Sequence, residues 1–220
     1  MIHTETIKLI QLHTREWREE GKELYCSSSF QTQSIPLLHI IGNYFPFIKI
    51  IFIDTGYLFP ETYAFKDNII KAFNLRCVTL EPSVSYADQI DDKGIFMYSR
   101  NPDRCCETNK VNPIKNFLRE GDVWISGIRR DQTENRKTKK QIEAQPDGVI
   151  KFHPMLEWNS KDIYDYIKNN NLPRHPLEEE GYISIGCVPC THKWVEGDGR
   201  GGRWKGSHKI ECGLHLKKIE

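Results

Sequence analysis

The sequence predicts an α/β protein, a doubly wound and mostly parallel sheet followed by a flexible C-terminal lid and tail. Three observations predict it. Short apolar runs alternate with helix-length amphipathic stretches through the first 180 residues, as in a parallel sheet covered on both faces. One of them, KIIFID (49–54), is continuously apolar and ends on an acid, the pattern of a strand buried on both sides. Residues 181–220 are rich in Gly, Pro and charge and carry no period. The domain organisation expected is therefore an α/β domain over 1–180 and a CxxC-bearing lid with a tail over 181–220.

The opening MIHTETIKLIQLHTREWREE reads as an amphipathic helix with Ile7, Ile10 and Trp17 on one face, without the layout of a signal peptide. ELYCSSS is a short strand running into a polar turn. QSIPLLHIIGNYF has helical spacing, with Pro36 tolerated in its first turn. After KIIFID, the stretch TGYLFPETYAFKDNIIKAF turns and becomes helical, and LRCVTLEP returns as a strand. GDVWISGIRR is a strand ending in a charged turn, followed by the polar DQTENRKTKKQ. VIKFHPML is a further strand. WNSKDIYDYIKNN is a helix with Asn159 or Ser160 as N-cap and Asp162 near its positive end. Ligands of such sheets sit beyond the carboxyl ends of the strands. The places to watch are thus SSSF, DTGY, the end of LRCVTLEP, and GIRR.

The 220 residues carry a formal net charge of +1, which gives no whole-chain case for nucleic acid or a membrane surface. No apolar run approaches the ~18 residues of a membrane span. A cytosolic protein is expected, in which clustered thiols point to metal or catalysis before bridges. Cys105 and Cys106 are adjacent, with Cα atoms ~3.8 Å apart where a relaxed bridge wants roughly 4.4–6.8 Å. Cys187 and Cys190 form CVPC. Together the two pairs supply four thiolates, the number required by a tetrahedral zinc or a cubane cluster, and spacing does not choose between them. Cys77 and Cys26 read as buried core thiols. Cys212, in ECGLHL, is either an incidental thiol or a nucleophile on a mobile arm. A thiol of pKa ~8.5 is only about 3 % thiolate at pH 7, so the second role needs cations. His215, Lys217 and Lys218 are near it in sequence.

CSSSFQTQ, FIDTGYLFPETY, CCETNKVNPIKNFL, WISGIRRDQTENR, HPLEEEGYISIGCVPC and ECGLHL resemble, in that order, the assimilatory sulfonucleotide reductases. These are the adenylyl-sulfate (APS) and phosphoadenylyl-sulfate (PAPS) reductases. The resemblance runs from about residue 20 to the end, and implies an adenine nucleotide alpha hydrolase-like fold. It implies that Cys212 attacks the sulfur of the nucleotide's sulfate group, and that thioredoxin or glutaredoxin then releases sulfite. It is closest to the cluster-bearing branch, so that Cys105, Cys106, Cys187 and Cys190 would hold a [4Fe-4S] cluster. Two adjacent thiolates can grip one cubane only with local backbone adjustment. A homo-oligomer is compatible with the sequence.

A polyanionic substrate beside a cluster of net charge −2 demands cations. Each unit pair at 6 Å costs ~0.7 kcal/mol in water and ~3 at an effective dielectric of 20. Lys110 matches the family's lysine between cluster and substrate. Arg129, Arg130 and Arg136 offer bidentate clamps, and Arg200, Arg203 and Lys205 would close over the sulfate; Lys139 and Lys140 read better as solvated surface charge. Ser27, Ser28, Ser29 and Phe30 form a phosphate loop before a helix, and Asp54, Thr55 and Gly56 are placed to meet the adenosine. Two departures stand out: Asn109 where many cluster-bearing relatives have Arg, and Gln31 where many have Gly. The cluster favours APS, whereas SSSF and DTGYLFPETY look like cluster-free PAPS reductases, so PAPS, or use of both nucleotides, is the alternative. An ATP-dependent tRNA sulfur-transfer enzyme is a remote one, because CSSSFQTQ lacks the Gly pair and acid of its ATP loop.

Overall fold

The computed structural model describes residues 2–196, 202–204, 209 and 211–215. The chain divides into two units. One comprises Met1–Phe52, Lys66–Val78 and Leu118–Arg174, and the other Ile53–Phe65, Thr79–Phe117 and His175–Glu220.

Six strands form one sheet: β1 (Leu24–Ser27), β2 (Lys49–Ile53), β3 (Cys77–Leu80), β4 (Val123–Ser126), β5 (Ile142–Ala144) and β6 (Ile150–Phe152), in the order β3-β2-β1-β4-β6-β5. β1 pairs in parallel with β2 and β4, and β4 with β6. β5 is an antiparallel edge on β6, directly after the polar stretch, that the sequence reading did not assign. Order reverses between β1 and β4, where Ser27 and Ser126 are register partners at the carboxyl ends. The serine loop and the GIRR turn therefore leave the sheet side by side at its switch point, where such sheets bind ligands. Cys26 is buried as expected. Cys77 is not: it opens an edge strand and is only half-buried, because an edge has a neighbour on one side alone.

Eight α-helices are described: α1 (Ile2–Glu19), α2 (Ile35–Tyr44), α3 (Pro60–Ala72), α4 (Met97–Arg100), α5 (Pro102–Cys106), α6 (Asn112–Phe117), α7 (Glu134–Lys137) and α8 (Ser160–Asn169). The buried stripe of α1 is Thr6, Ile10, Thr14 and Trp17, with Ile7 half-exposed. Thr6 can be buried because its hydroxyl donates to the Ile2 carbonyl at 3.1 Å and accepts from Trp158 Nε1 at 2.8 Å. The N-cap of α8 is Asn159, accepting from the N–H of Lys161 and Asp162, while Asp162 accepts from the Asn159 N–H. That reciprocal pair satisfies donors the first turn would leave orphaned. Among the described residues no helix is long and apolar enough to cross a membrane.

One buried polar group sits beside the sheet. His153 accepts or donates at Nδ1 to Ser126 Oγ at 2.8 Å, and Glu143 lies 3.9 Å from its Nε2. Lys139, read from sequence as solvated, is instead 5 % exposed and pairs with Glu143 at 3.4 Å. Strand β5, unread in the sequence, pairs with β6 and brings that carboxylate to it. Burial, reinforced by Lys151, Lys139 and Arg136 against the opposing Glu143, lowers the His153 pKa to about 4. The fold thus prefers neutral His153, and its stability should fall as pH drops from about 6.5 toward 4. By linkage the loss between pH 7 and 5 is about 2 kcal/mol. Urea unfolding at both pH values should show it, and His153→Gln should flatten that slope.

Candidate functional site

The RCCETNK stretch forms the end of α5 and a π-turn, Glu107–Val111, that runs into α6. Asn101 caps the start, accepting from the Arg104 N–H at 2.9 Å, with Pro102 pre-set for the first turn. The π-turn widens the helix directly after the two cysteines, and such bulges recur at functional sites. Asn109 falls four residues beyond Cys105, and Lys110 four beyond Cys106. One helical turn thus carries two thiols and the next two donors.

Cys105, Cys106, Cys187 and Cys190 line one cavity with Thr55, Tyr57, Asn109, Lys110, Arg203 and Trp204. All four thiols are free; the first three are buried and Cys190 half-buried. CVPC is held by the Val188 N–H donating to the Tyr57 carbonyl at 2.7 Å and the Cys190 N–H to the Cys187 carbonyl at 2.9 Å. Thr55 Oγ1 lies 3.3 Å from Cys187 Sγ. Arg203 donates through Nε to the Cys190 carbonyl at 3.1 Å and stacks 4.6 Å from the centre of the Trp204 ring.

The electrostatics revolve around Lys110. Burial lowers its pKa, but the thiolates of Cys187, Cys212 and Cys106 more than reverse this, so the net shift is upward. Burial likewise pushes the Cys187 thiol up, and Lys110, the Thr55 hydroxyl and Arg203 outweigh it, leaving Cys187 below the ordinary thiol value. Cys105 is pushed up to about 11 by burial, against the Asn109 hydrogen bond. Burial also raises Cys106 and Cys190. Cys212 is half-buried and within electrostatic reach of Cys106 and Lys110. Its N–H donates to Glu211 at 2.8 Å, and a short turn, Gly213–His215, follows. A Cβ on Gly213 would come within 3.1 Å of Val111 in the π-turn. Lys209 pairs with Asp103 of α5. Among the described residues no group of three or more His, Cys, Asp or Glu side chains has the spacing of a metal-ion site.

In the same unit Asp54 accepts from the Gly56 N–H at 2.8 Å and the Tyr63 hydroxyl at 2.6 Å. Gly56 has φ +70°, and a Cβ there would stand 2.1 Å from the Tyr86 hydroxyl.

The remaining candidates lie in the sheet-bearing unit. Ser27 accepts from Trp124 Nε1 at 2.8 Å, Ser28 from the Phe30 N–H at 3.0 Å, and exposed Ser29 from Gln31 at 3.1 Å. Phe30 is fully buried with φ +54°, a conformation costing a bulky residue on the order of 1–3 kcal/mol. The left-handed residue of this loop is thus Phe30, while Gln31 is extended. Arg129 is 2 % exposed; it grips Asp131 through Nε at 2.9 Å and Gln33 through Nη1 at 3.0 Å. Arg130 holds Glu157 and the carbonyls of Lys137 and Lys139. Arg136 is buried against Gln132. All three guanidiniums have protein partners, where the sequence suggested open clamps. Arg200, Lys205, Lys217 and Lys218 lie outside the described residues.

Residues 23–193 match the phosphoadenosine phosphosulfate reductase domain. The chain belongs to the sulfonucleotide reductase family. It is 35 % identical over 198 residues to an adenosine 5'-phosphosulfate reductase of Salinibacter ruber, covering 89 % of this chain and 79 % of that protein. It is 38 % identical over 200 residues to a phosphoadenosine 5'-phosphosulfate reductase of Gloeobacter violaceus, covering 89 % and 83 %. Its fold is similar to the crystal structure of a phosphoadenylyl-sulfate reductase from Candida auris in a phosphate complex. There the TM-score is 0.65 at 24 % identity, covering 86 % of this chain and 94 % of that one.

Sequence reading of this sulfonucleotide reductase missed Gln89 and Tyr57, which reach the cysteines through Asn109. No motif marks Gln89; only its burial, at 1 % exposure, would have singled it out. Gly56→Ala should destabilise the reductase by roughly 1–2 kcal/mol, combining a left-handed φ with the Tyr86 contact. Adding Tyr86→Ala should recover only the contact share in urea unfolding.

Proposed function

We propose that this family member is an adenylyl-sulfate reductase of the cytoplasm, acting in sulfate assimilation. It is an oxidoreductase that turns adenosine 5'-phosphosulfate into sulfite and AMP. The observation that carries this reading is the thiol of Cys212 lying within the field of the Lys110 ammonium, on a chain whose relatives bear the reductase name.

The Cys212 thiolate attacks the sulfate sulfur, forming an S–S bond as the S–O bond to the nucleotide breaks. AMP leaves with that electron pair, and a thiosulfonate remains on Cys212. A thiol of thioredoxin or glutaredoxin then attacks Cys212 Sγ and expels sulfite. Its second thiol closes a disulfide and frees Cys212. The two electrons that take sulfur from sulfate to sulfite come from that dithiol. Lys110 and Arg203 offset the charge of the anionic sulfate. Ser27, Ser28, Ser29 and Phe30 take the phosphate, with Asp54, Thr55 and Gly56 on the adenosine side. Arg129, Arg130 and Arg136 serve as anion ligands by exchanging their protein partners for substrate oxygens.

Cys105, Cys106, Cys187 and Cys190 fit a [4Fe-4S] cluster in kind and number, four free thiols around one cavity and a lysine among them. When bound, the cluster would supply structural order and a fixed negative field rather than electrons. Anaerobically purified protein should be brown, with about four iron and four sulfide per chain and no zinc; colourless zinc protein would remove the cluster from the account.

The Gloeobacter violaceus relative favours PAPS as the second reading. Comparison of kcat/KM on both nucleotides should favour APS. Cys212→Ser should lose sulfite formation by at least ~10³-fold. Mass spectrometry after mixing wild-type protein with nucleotide should find SO₃ on the Cys212 peptide, and its absence would sink the proposed chemistry.

A further inference from the structure

Asn109 is 1 % exposed, and its Nδ2 group has three acceptors: Gln89 Oε1 at 2.7 Å, the Cys105 carbonyl at 3.0 Å and Cys105 Sγ at 3.4 Å. Gln89, also 1 % exposed, returns the bond from Nε2 to Asn109 Oδ1 at 3.1 Å. The Gln89 amide is completed by the Val84 carbonyl at 3.3 Å, and by the Tyr57 hydroxyl donating to Oε1 at 3.2 Å. These outer partners fix both orientations. Flipping Gln89 would turn its oxygen onto the Val84 carbonyl, and flipping Asn109 would turn an oxygen onto the Cys105 carbonyl. The Asn109 amide nitrogen, not its oxygen, therefore faces Cys105, with one N–H on Gln89 and the other toward Cys105.

We propose that Asn109 and Gln89 are positioning residues for Cys105, a neutral amide relay that aims its sulfur and withdraws charge from it. The proposal rests on reading the four cysteines as cluster ligands. The two donors one turn beyond the cysteine pair divide the work: Lys110 acts beside Cys106 as a cation, Asn109 on Cys105 as a dipole. Such partners orient a ligand, and hydrogen bonds to cluster sulfur tune its electronics. A neutral amide does so without adding charge at the cavity, whereas Arg at the same position would add a second cation.

The test uses the full chain purified anaerobically, as wild type, Asn109→Leu, Gln89→Leu and the double variant. Iron and sulfide content, the half-life of visible absorbance under a chelator, and Fe–S(Cys) stretching frequencies are read on each. Each single variant should shorten the half-life about five-fold or more and shift one Fe–S stretch. The double variant should be little worse than either single one, because the residues act in series. A packing role alone would lower Tm without moving the stretch. Gln89→Leu removes only the outer member, so it reports even where Asn109→Leu fails to fold. Wild-type protein without iron and sulfide overturns the cluster reading and this proposal with it. Wild-type protein that holds the cluster, beside variants with unchanged half-life and frequency, overturns this proposal alone.

Discussion

A single ammonium holds the chemistry together. Lys110 stands among Cys187, Cys212 and Cys106, groups that in anionic form repel one another. In a partly buried site each like-charged pair costs a few kcal/mol, and one cation placed among three thiols offsets several such terms at once. Its position is set by helix geometry: it lies four positions after Cys106, inside the π-turn. Two other described cations also have protein partners of their own. Arg203 is tied to the Cys190 carbonyl and the Trp204 ring, and Arg129 to Asp131 and Gln33.

The sheet does a different job. Parallel pairing of β1 with β4 puts Ser27 opposite Ser126 at the one place where strand order reverses. The chain leaving β1 must turn sharply there, and the strain falls on Phe30, whose ring is fully buried. Burial of a large aromatic side chain returns roughly 1.5–3 kcal/mol, comparable to the cost of its left-handed backbone. The loop is held in shape by its neighbours, with Trp124 on Ser27 and the Phe30 N–H on Ser28.

Much of this was legible in the sequence, for identifiable reasons. β2, continuously apolar, and α8, with its N-cap asparagine and Asp162, carry their signals within a few residues. β5 does not: three residues on an antiparallel edge show neither apolar run nor clear alternation. Lys139 was misread because its partner Glu143 arrives on that same hairpin. Cys77 was misread because nothing local distinguishes an edge strand from a central one. The four cysteines could be counted from sequence, but their shared cavity depends on contacts between residues some eighty positions apart. The Asn109–Gln89 pair spans twenty positions and matches no motif. Long-range polar pairing is the layer that periodicity does not encode.

The unit that carries the four cavity cysteines is assembled from three stretches, the last beginning at His175. During synthesis, Cys105 and Cys106 emerge about eighty residues before Cys187. At 5–20 residues per second that is an interval of roughly 4–16 s. Through it the leading pair has neither the CVPC turn nor Arg203 beside it. The nascent chain thus passes through a stage in which two unpaired thiols depend on the reducing power of their surroundings until the CVPC turn has been made.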